Sequence, residues 1–157
     1  MVGDSGARLE PMKLLELAAL AATRDLDSEE LTKLNGHRSG ADAALGIHYT
    51  RVGPEGVAAE LRVGGHLLQP VGLVHGGMYA ALAESLGSLA GLVHAGGNPV
   101  VGVNNNTDLI SSVRSGVITA VAEPIQLGRN TQLLQINMHH EDTLVARTTL
   151  RTMVLRR

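Results

Sequence analysis

The run from Met78 to Val93, MYAALAESLGSLAGLV, constrains the fold more than any other segment, because Glu84 is its only charged residue. A segment that is apolar almost all round must be covered almost all round. The pattern therefore predicts a buried helix across the stretch from His75 to His94. A membrane-spanning helix fits badly: the run is short, rich in Gly and Ser, and holds a carboxylate near its middle.

A buried helix needs a partner surface, and the flanking sequence supplies strands. Leu45–Val52 and Val57–Val63 read as a hairpin around the turn Gly53-Pro54-Glu55-Gly56, with Val57, Ala59, Leu61 and Val63 on one face. Downstream, Val100–Val103 together with Leu109–Val113 reads as one strand. Val117–Glu123, Gln132–Met138 and Leu144–Leu155 follow, with turns at Ser115-Gly116 and Glu141-Asp142. A strand pair, one buried helix and a four-strand antiparallel run predict an α+β domain with a long helix packed on a sheet.

Upstream, Pro11–Thr23 reads as a helix with Pro in its first turn. A second short helix starts at a cap on Asp27 or Ser28 and stops at Asn35-Gly36. Residues 35–42 read as a loop and residues 1–10 as a frayed start. The chain is expected to divide into a helical extension over residues 1–40 and the α+β domain over residues 41–157.

Composition narrows the chemistry. With 44% hydrophobic and 18% charged residues, the 157-residue chain reads as one folded unit. There is no Phe, no Trp and only Tyr49 and Tyr79, so the core must be aliphatic, and Tyr79 is the only aromatic near the helix start in sequence. The absence of Cys excludes disulfides, thiol catalysis and thiolate-bound metal. A net charge of −2 and the lack of aromatic platforms argue against nucleic acid as a partner. The seven His include His139-His140 but no helical zinc motif, so no metal and no cofactor are expected. The first residues carry acids and no apolar stretch, so neither a secretory signal nor a membrane anchor is expected, and the location is read as cytoplasmic.

Two features carry chemistry. His75-Gly76-Gly77 opens the long helix, where backbone N–H groups lack internal acceptors and the macrodipole is positive. Glycine there lets a carbonyl oxygen approach those donors as it gains negative charge. The same triplet also suits a plain tight turn into a helix. Glu84 is the second feature. A lone carboxylate in an apolar helix is costly unless paired or functional, and burial raises the basicity a general base or nucleophile needs. Ser88, one turn on, shares its face. Gly76 and Glu84 are eight residues apart, about 12 Å along a helix, while a base or nucleophile works at roughly 3 Å. If both act on one carbonyl, a second, antiparallel copy of the helix must supply one of them, as a two-fold dimer does.

The stretch from Gln69 to Ser88, QPVGLVHGGMYAALAESLGS, closely resembles the hot-dog-fold acyl-CoA thioesterases, in particular the PaaI-type and 4-hydroxybenzoyl-CoA thioesterase branch with a helix glutamate. The resemblance spans roughly Leu45–Leu155 and leaves the N-terminal helices outside the common core. It implies a long helix wrapped by an antiparallel sheet, and hydrolysis of an acyl-CoA, with coenzyme A as part of the substrate rather than a cofactor. It implies Glu84 as nucleophile or general base and Gly76 as the carbonyl-polarising donor. It also implies Gln69 and His75 as site-lining residues and Ser88 as the group placing the thioester or water. Gly77, Asn106, Arg129 and Asn130 follow as substrate contacts, Arg129 pairing with a CoA phosphate. Intersubunit sites in a homodimer, and commonly a dimer of dimers, come with the family. The competing readings are a non-catalytic acyl-CoA-binding or regulatory module of the same fold, and a hot-dog hydratase or dehydratase.

Overall fold

The computed structural model of the chain describes residues 11–155; the frayed start expected over residues 1–10 lies outside them. The elements in chain order are α1 (Pro11–Ala21), α2 (Ser28–Gly36), α3 (Gly40–Leu45), β1 (Ile47–Gly53), β2 (Gly56–Arg62), α4 (Gly76–His94), β3 (Val100–Leu109), β4 (Val117–Leu127), β5 (Thr131–His140) and β6 (Thr143–Val154). A single 3-10 turn, Gly65–Leu67, precedes α4.

The apolar run forms α4 as its pattern predicts, and both of its sides are covered. Leu82, Leu86, Ala90 and Val93 make a fully or nearly fully buried stripe at helical spacing. They share one core with Ile118, Ile136, Met138 and Leu150 of the sheet. The opposite side of α4 meets α1 and α3. Contact with the sheet is close enough to require glycine: a Cβ on Gly87 would stand 2.3 Å from Leu150 Cδ2 and 3.3 Å from Ile136 Cδ1.

The six strands form one antiparallel sheet in the order β1-β2-β4-β5-β6-β3. The chain leaves α4 and lands at the far edge, beside β6, so β3 has one free edge. Alternation on β2 and β6 follows the sequence pattern, with Val57, Ala59 and Leu61 buried, and Ala146, Thr148 and Leu150 buried against exposed Arg147 and Arg151. The architecture is the hot-dog arrangement that the resemblance implied.

Several boundaries differ from the sequence reading, and Leu45, expected to open the first strand, closes α3 instead. The strand expected in two pieces is continuous through Asn104-Asn105-Asn106, and Ile110–Val113 lies outside it. Pairing with β6 across Asn105↔Leu150 and Asn106↔Thr149 overrides the weak strand preference of Asn, which an edge position tolerates. β4 runs on past Glu123 to Leu127, with a register shift between Pro124 and Gln126 absorbing the proline. Part of the expected loop over residues 35–42 is helical: α3 starts after Ser39 and ends at Gly46, whose φ of 76° is the left-handed stop a helix takes at glycine.

The N-terminal helices are tied down by specific bonds. Asp27 caps α2 by accepting from the N–H groups of Glu29 and Glu30, and Glu30 accepts from Asp27 N–H in return. Asn35 then pairs with strand β1 as another strand would. Its Nδ2 donates to Tyr49 O and its Oδ1 accepts from Tyr49 N–H, both at 2.8 Å. Among the described residues, no helix is long and apolar enough to cross a membrane.

Candidate active site

Glu84 sits half-buried on α4, where the helix passes under β3. Its carboxylate lies over the backbone of Gly102, where a Cβ would fall inside normal contact distance of Oε1 and push the carboxylate aside. Asn105 Nδ2 donates to Glu84 Oε2 at 3.0 Å and to Ala80 O at 3.0 Å. The Asn105 amide is itself oriented, because Thr107 Oγ1 donates to Asn105 Oδ1 at 2.8 Å. Thr107 has one proton and uses it there. The 2.7 Å contact between Thr107 Oγ1 and the fully buried Thr148 Oγ1 therefore has Thr148 as donor. A chain of donors thus runs from the core, through Thr148, Thr107 and Asn105, to the Glu84 carboxylate.

Sequence reasoning selects Asn106 and misses Asn105 and Thr107. Strand alternation sends Asn106 to the opposite face of the sheet from Asn105, so it is not brought to Glu84 within the chain. The usable signal is the two-residue spacing of Asn105 and Thr107 on the face that meets α4.

The start of α4 is built by the loop before it. Gln69 is half-buried in a turn closed by Gln69 N–H to Leu73 O at 2.8 Å and Gly72 N–H to Gln69 O at 2.9 Å. His75 N–H then donates to Leu67 O at 2.9 Å, aiming the chain into the helix. His75 Nδ1 accepts from Gly77 N–H at 2.9 Å, so the side chain acts as the N-cap of α4. Among the described residues no acceptor takes the Gly76 N–H. An open donor thus stands at a positive helix end between His75 and Gly77. Glu84 and Ser88 stand two and three turns further along, and Gly76 and Glu84 remain about 12 Å apart along the axis.

Next to Glu84 opens a cavity of about 590 Å³ between α4 and the N-terminal helices. Ser88 lines it with a hydroxyl that no described residue engages, whereas Ser85 Oγ donates to Asp42 Oδ1 at 2.6 Å. Tyr49 OH donates to Asp42 Oδ2 at 2.6 Å. Burial, then the Asp42 charge and hydrogen bond, push the Tyr49 phenol well above its ordinary value, so it stays a donor. Tyr79, the only aromatic near the helix start in sequence, is buried with its OH unpaired among the described residues, while Tyr49 lines the cavity.

Arg129 and Asn130 lie exposed on the hairpin between β4 and β5. Arg129 borders a second cavity of about 710 Å³ at the far end of α4, along with His94 and Asn98. Burial lowers the pKa of His94. Ten residues, about 15 Å of helix, separate Glu84 from His94, so the chain by itself does not bring Arg129 to Glu84. Among the described residues no group of three or more His, Asp or Glu is gathered to hold a metal.

Residues 71–146 match the family model of the thioesterase superfamily. A Mycobacterium tuberculosis H37Rv protein named as a candidate esterase is 44% identical over 115 residues, covering 70% of this chain and 82% of that one. The chain belongs to the thioesterase superfamily. This thioesterase-superfamily chain also superposes on a solved Haemophilus influenzae thioesterase with a TM-score of 0.74 at 36% identity, covering 83% of this chain and 92% of the other. A phenylacetic acid degradation protein, PaaI, from Thermus thermophilus gives a TM-score of 0.68 at 27% identity, covering 73% and 97%. Membership supports thioester hydrolysis as the general chemistry.

Proposed function

We propose that the chain hydrolyses an acyl-CoA to free acid and coenzyme A, at sites shared between two copies of itself, in the manner of the helix-glutamate branch that includes 4-hydroxybenzoyl-CoA thioesterase. The observation that carries this reading is the pairing on one helix of an open Gly76 N–H with an oriented Glu84 carboxylate beside a cavity. Their separation of about 12 Å calls for a second copy. The free edge of β3, with Val101 and Val103 exposed, is where an antiparallel copy would add its own β3. A second pairing into a dimer of dimers, and a cytoplasmic setting, belong to the same proposal.

The thioester carbonyl oxygen rests on the Gly76 N–H of one copy, and Glu84 of the other faces the carbonyl carbon. In one route a Glu84 oxygen adds to that carbon, the oxyanion forms on the Gly76 donor, and collapse breaks the C–S bond. Coenzyme A leaves as thiolate and water then hydrolyses the acyl–Glu84 anhydride. In the other route Glu84 takes a proton from water as the water oxygen adds, and the departing thiolate receives that proton. Ser88 holds the water or the thioester, Gln69 and His75 shape the helix-start side with Gly77, and Arg129, Asn130 and Asn106 are assigned to the coenzyme A portion. Single turnover in oxygen-18 water tests for the anhydride: label in the Glu84 carboxylate requires it, because general-base hydrolysis puts label only in the released acid.

Replacing Glu84 by alanine is expected to lower thiol release by about 10²–10⁴-fold while the circular dichroism spectrum and melting temperature stay near those of the parent. A variant that turns over near the parental rate sinks the assignment. Binding of CoA esters by the parent without thiol release would favour the non-catalytic module.

A further inference from the structure

We infer that α1, α2 and α3 are the wall of the acyl chamber, so that the N-terminal extension, rather than the common hot-dog core, selects the acyl group. This rests on the acyl-CoA hydrolase reading above. The cavity beside Glu84 and Ser88 is bounded on its far side by Leu14 and Leu15 of α1, Leu34 of α2 and Asp42 of α3, and Leu89 and Leu92 of α4 complete an aliphatic lining. Its volume of about 590 Å³ falls within the roughly 300–1,000 Å³ of small-molecule sites and exceeds what an acetyl group needs. Without the three helices that side of α4 would be open, because the sheet covers only the other side.

The wall is pinned rather than loosely apposed. Asp42 accepts from Ser85 of α4 and from Tyr49 of β1, one bond to each oxygen, which ties α3 to both. Asn35 ties α2 to β1. With both Asp42 oxygens engaged in these ties, the five Leu side chains, Pro99 and Val100 give the chamber a largely apolar lining, to which His37, Arg38, Ser39 and Tyr49 add polar groups. The chamber therefore takes medium or long aliphatic acyl groups and recognises them by length and shape. The carbonyl end lies toward Glu84, and the chain runs in between α4 and α1.

Leu14→Trp tests the wall without touching Glu84, Ser88 or the helix start. Leu14 is half-buried, and the larger ring reduces the room for the acyl chain. Across acetyl-, butyryl-, octanoyl- and lauroyl-CoA, kcat/KM for the long esters is expected to fall by about ten-fold or more relative to the short ones. The chain has no other Trp, so the introduced indole also reports binding directly. In a Glu84→Ala background its fluorescence should shift with octanoyl-CoA and not with free coenzyme A. Asp42→Ala, which unpins α3, should blunt the length preference. A Leu14→Trp profile parallel to the parent across the panel, or fluorescence unmoved by octanoyl-CoA, overturns the chamber assignment. A parent that releases thiol from no ester in the panel overturns the hydrolase reading instead.

Discussion

Glu84 is oriented by a side chain that only the strand register brings to it. Asn105 donates to it at 3.0 Å, and Thr107, which fixes which end of the amide faces the carboxylate, sits two residues along the same face. A hydrogen bond to a charged group is worth about 1.5–3 kcal/mol. Asn105→Ala is therefore expected to lower kcat by about ten-fold, or about 1.4 kcal/mol, with KM for the same ester nearly unchanged. Thr107→Val should have a smaller effect in the same direction. Because both act through one chain of donors, the double variant should be no slower than Asn105→Ala alone. Effects that multiply instead would show that Thr107 does not act through Asn105.

At the scale of elements, α4 owes its place to small residues as much as to large ones. Gly87 faces Leu150, a fully buried side chain that cannot swing away. Alanine would gain about 1 kcal/mol in helix propensity over glycine, but forcing a methyl into a filled core costs about 1–3 kcal/mol. The clash, at 2.3 Å, is severe, so it wins: Gly87→Ala should lower stability by about 1–2 kcal/mol in urea unfolding. Gly36, at the end of α2, serves as the control, because a methyl added there would meet nothing within 4 Å. Gly36→Ala should leave the midpoint unchanged or raised. The helices α2 and α4 were legible because caps and an apolar run announce them. The short α3 was not, since six residues give too little periodicity to separate a helix from a loop.

At the scale of the whole molecule, the proposed reaction needs two copies, and this is open to a complementation test. Gly76→Pro removes the carbonyl-binding N–H at a helix position that accepts proline, and Leu109, which a side chain there would meet, is exposed enough to yield. Each homodimer, Gly76→Pro or Glu84→Ala, should be nearly inactive in thiol release. Mixed in equal amounts under subunit exchange, half of the dimers are heterodimers, each with one site carrying both intact groups. About a quarter of parental activity should return. No recovery, with exchange shown by mass measurement, would place the Gly76 donor and Glu84 within one chain or exclude one of them from the reaction.

The order of residues alone determined the buried helix, the antiparallel strands around it, the cap of α2, the open helix start at Gly76 and the isolated carboxylate at Glu84. Each of these is a local pattern, in which periodicity, a cap or an uncompensated charge within about twenty residues forces the outcome. The tertiary structure alone decided what surrounds Glu84. Asn105 lies 21 residues away and Asp42 lies 43 residues from its partner Ser85. Which asparagine of the Asn104-Asn105-Asn106 run faces the helix depends on strand register. Whether the N-terminal helices close a chamber depends on where α4 leaves a side uncovered. Those contacts are set by packing between distant segments, for which nothing in the neighbouring sequence carries a signal.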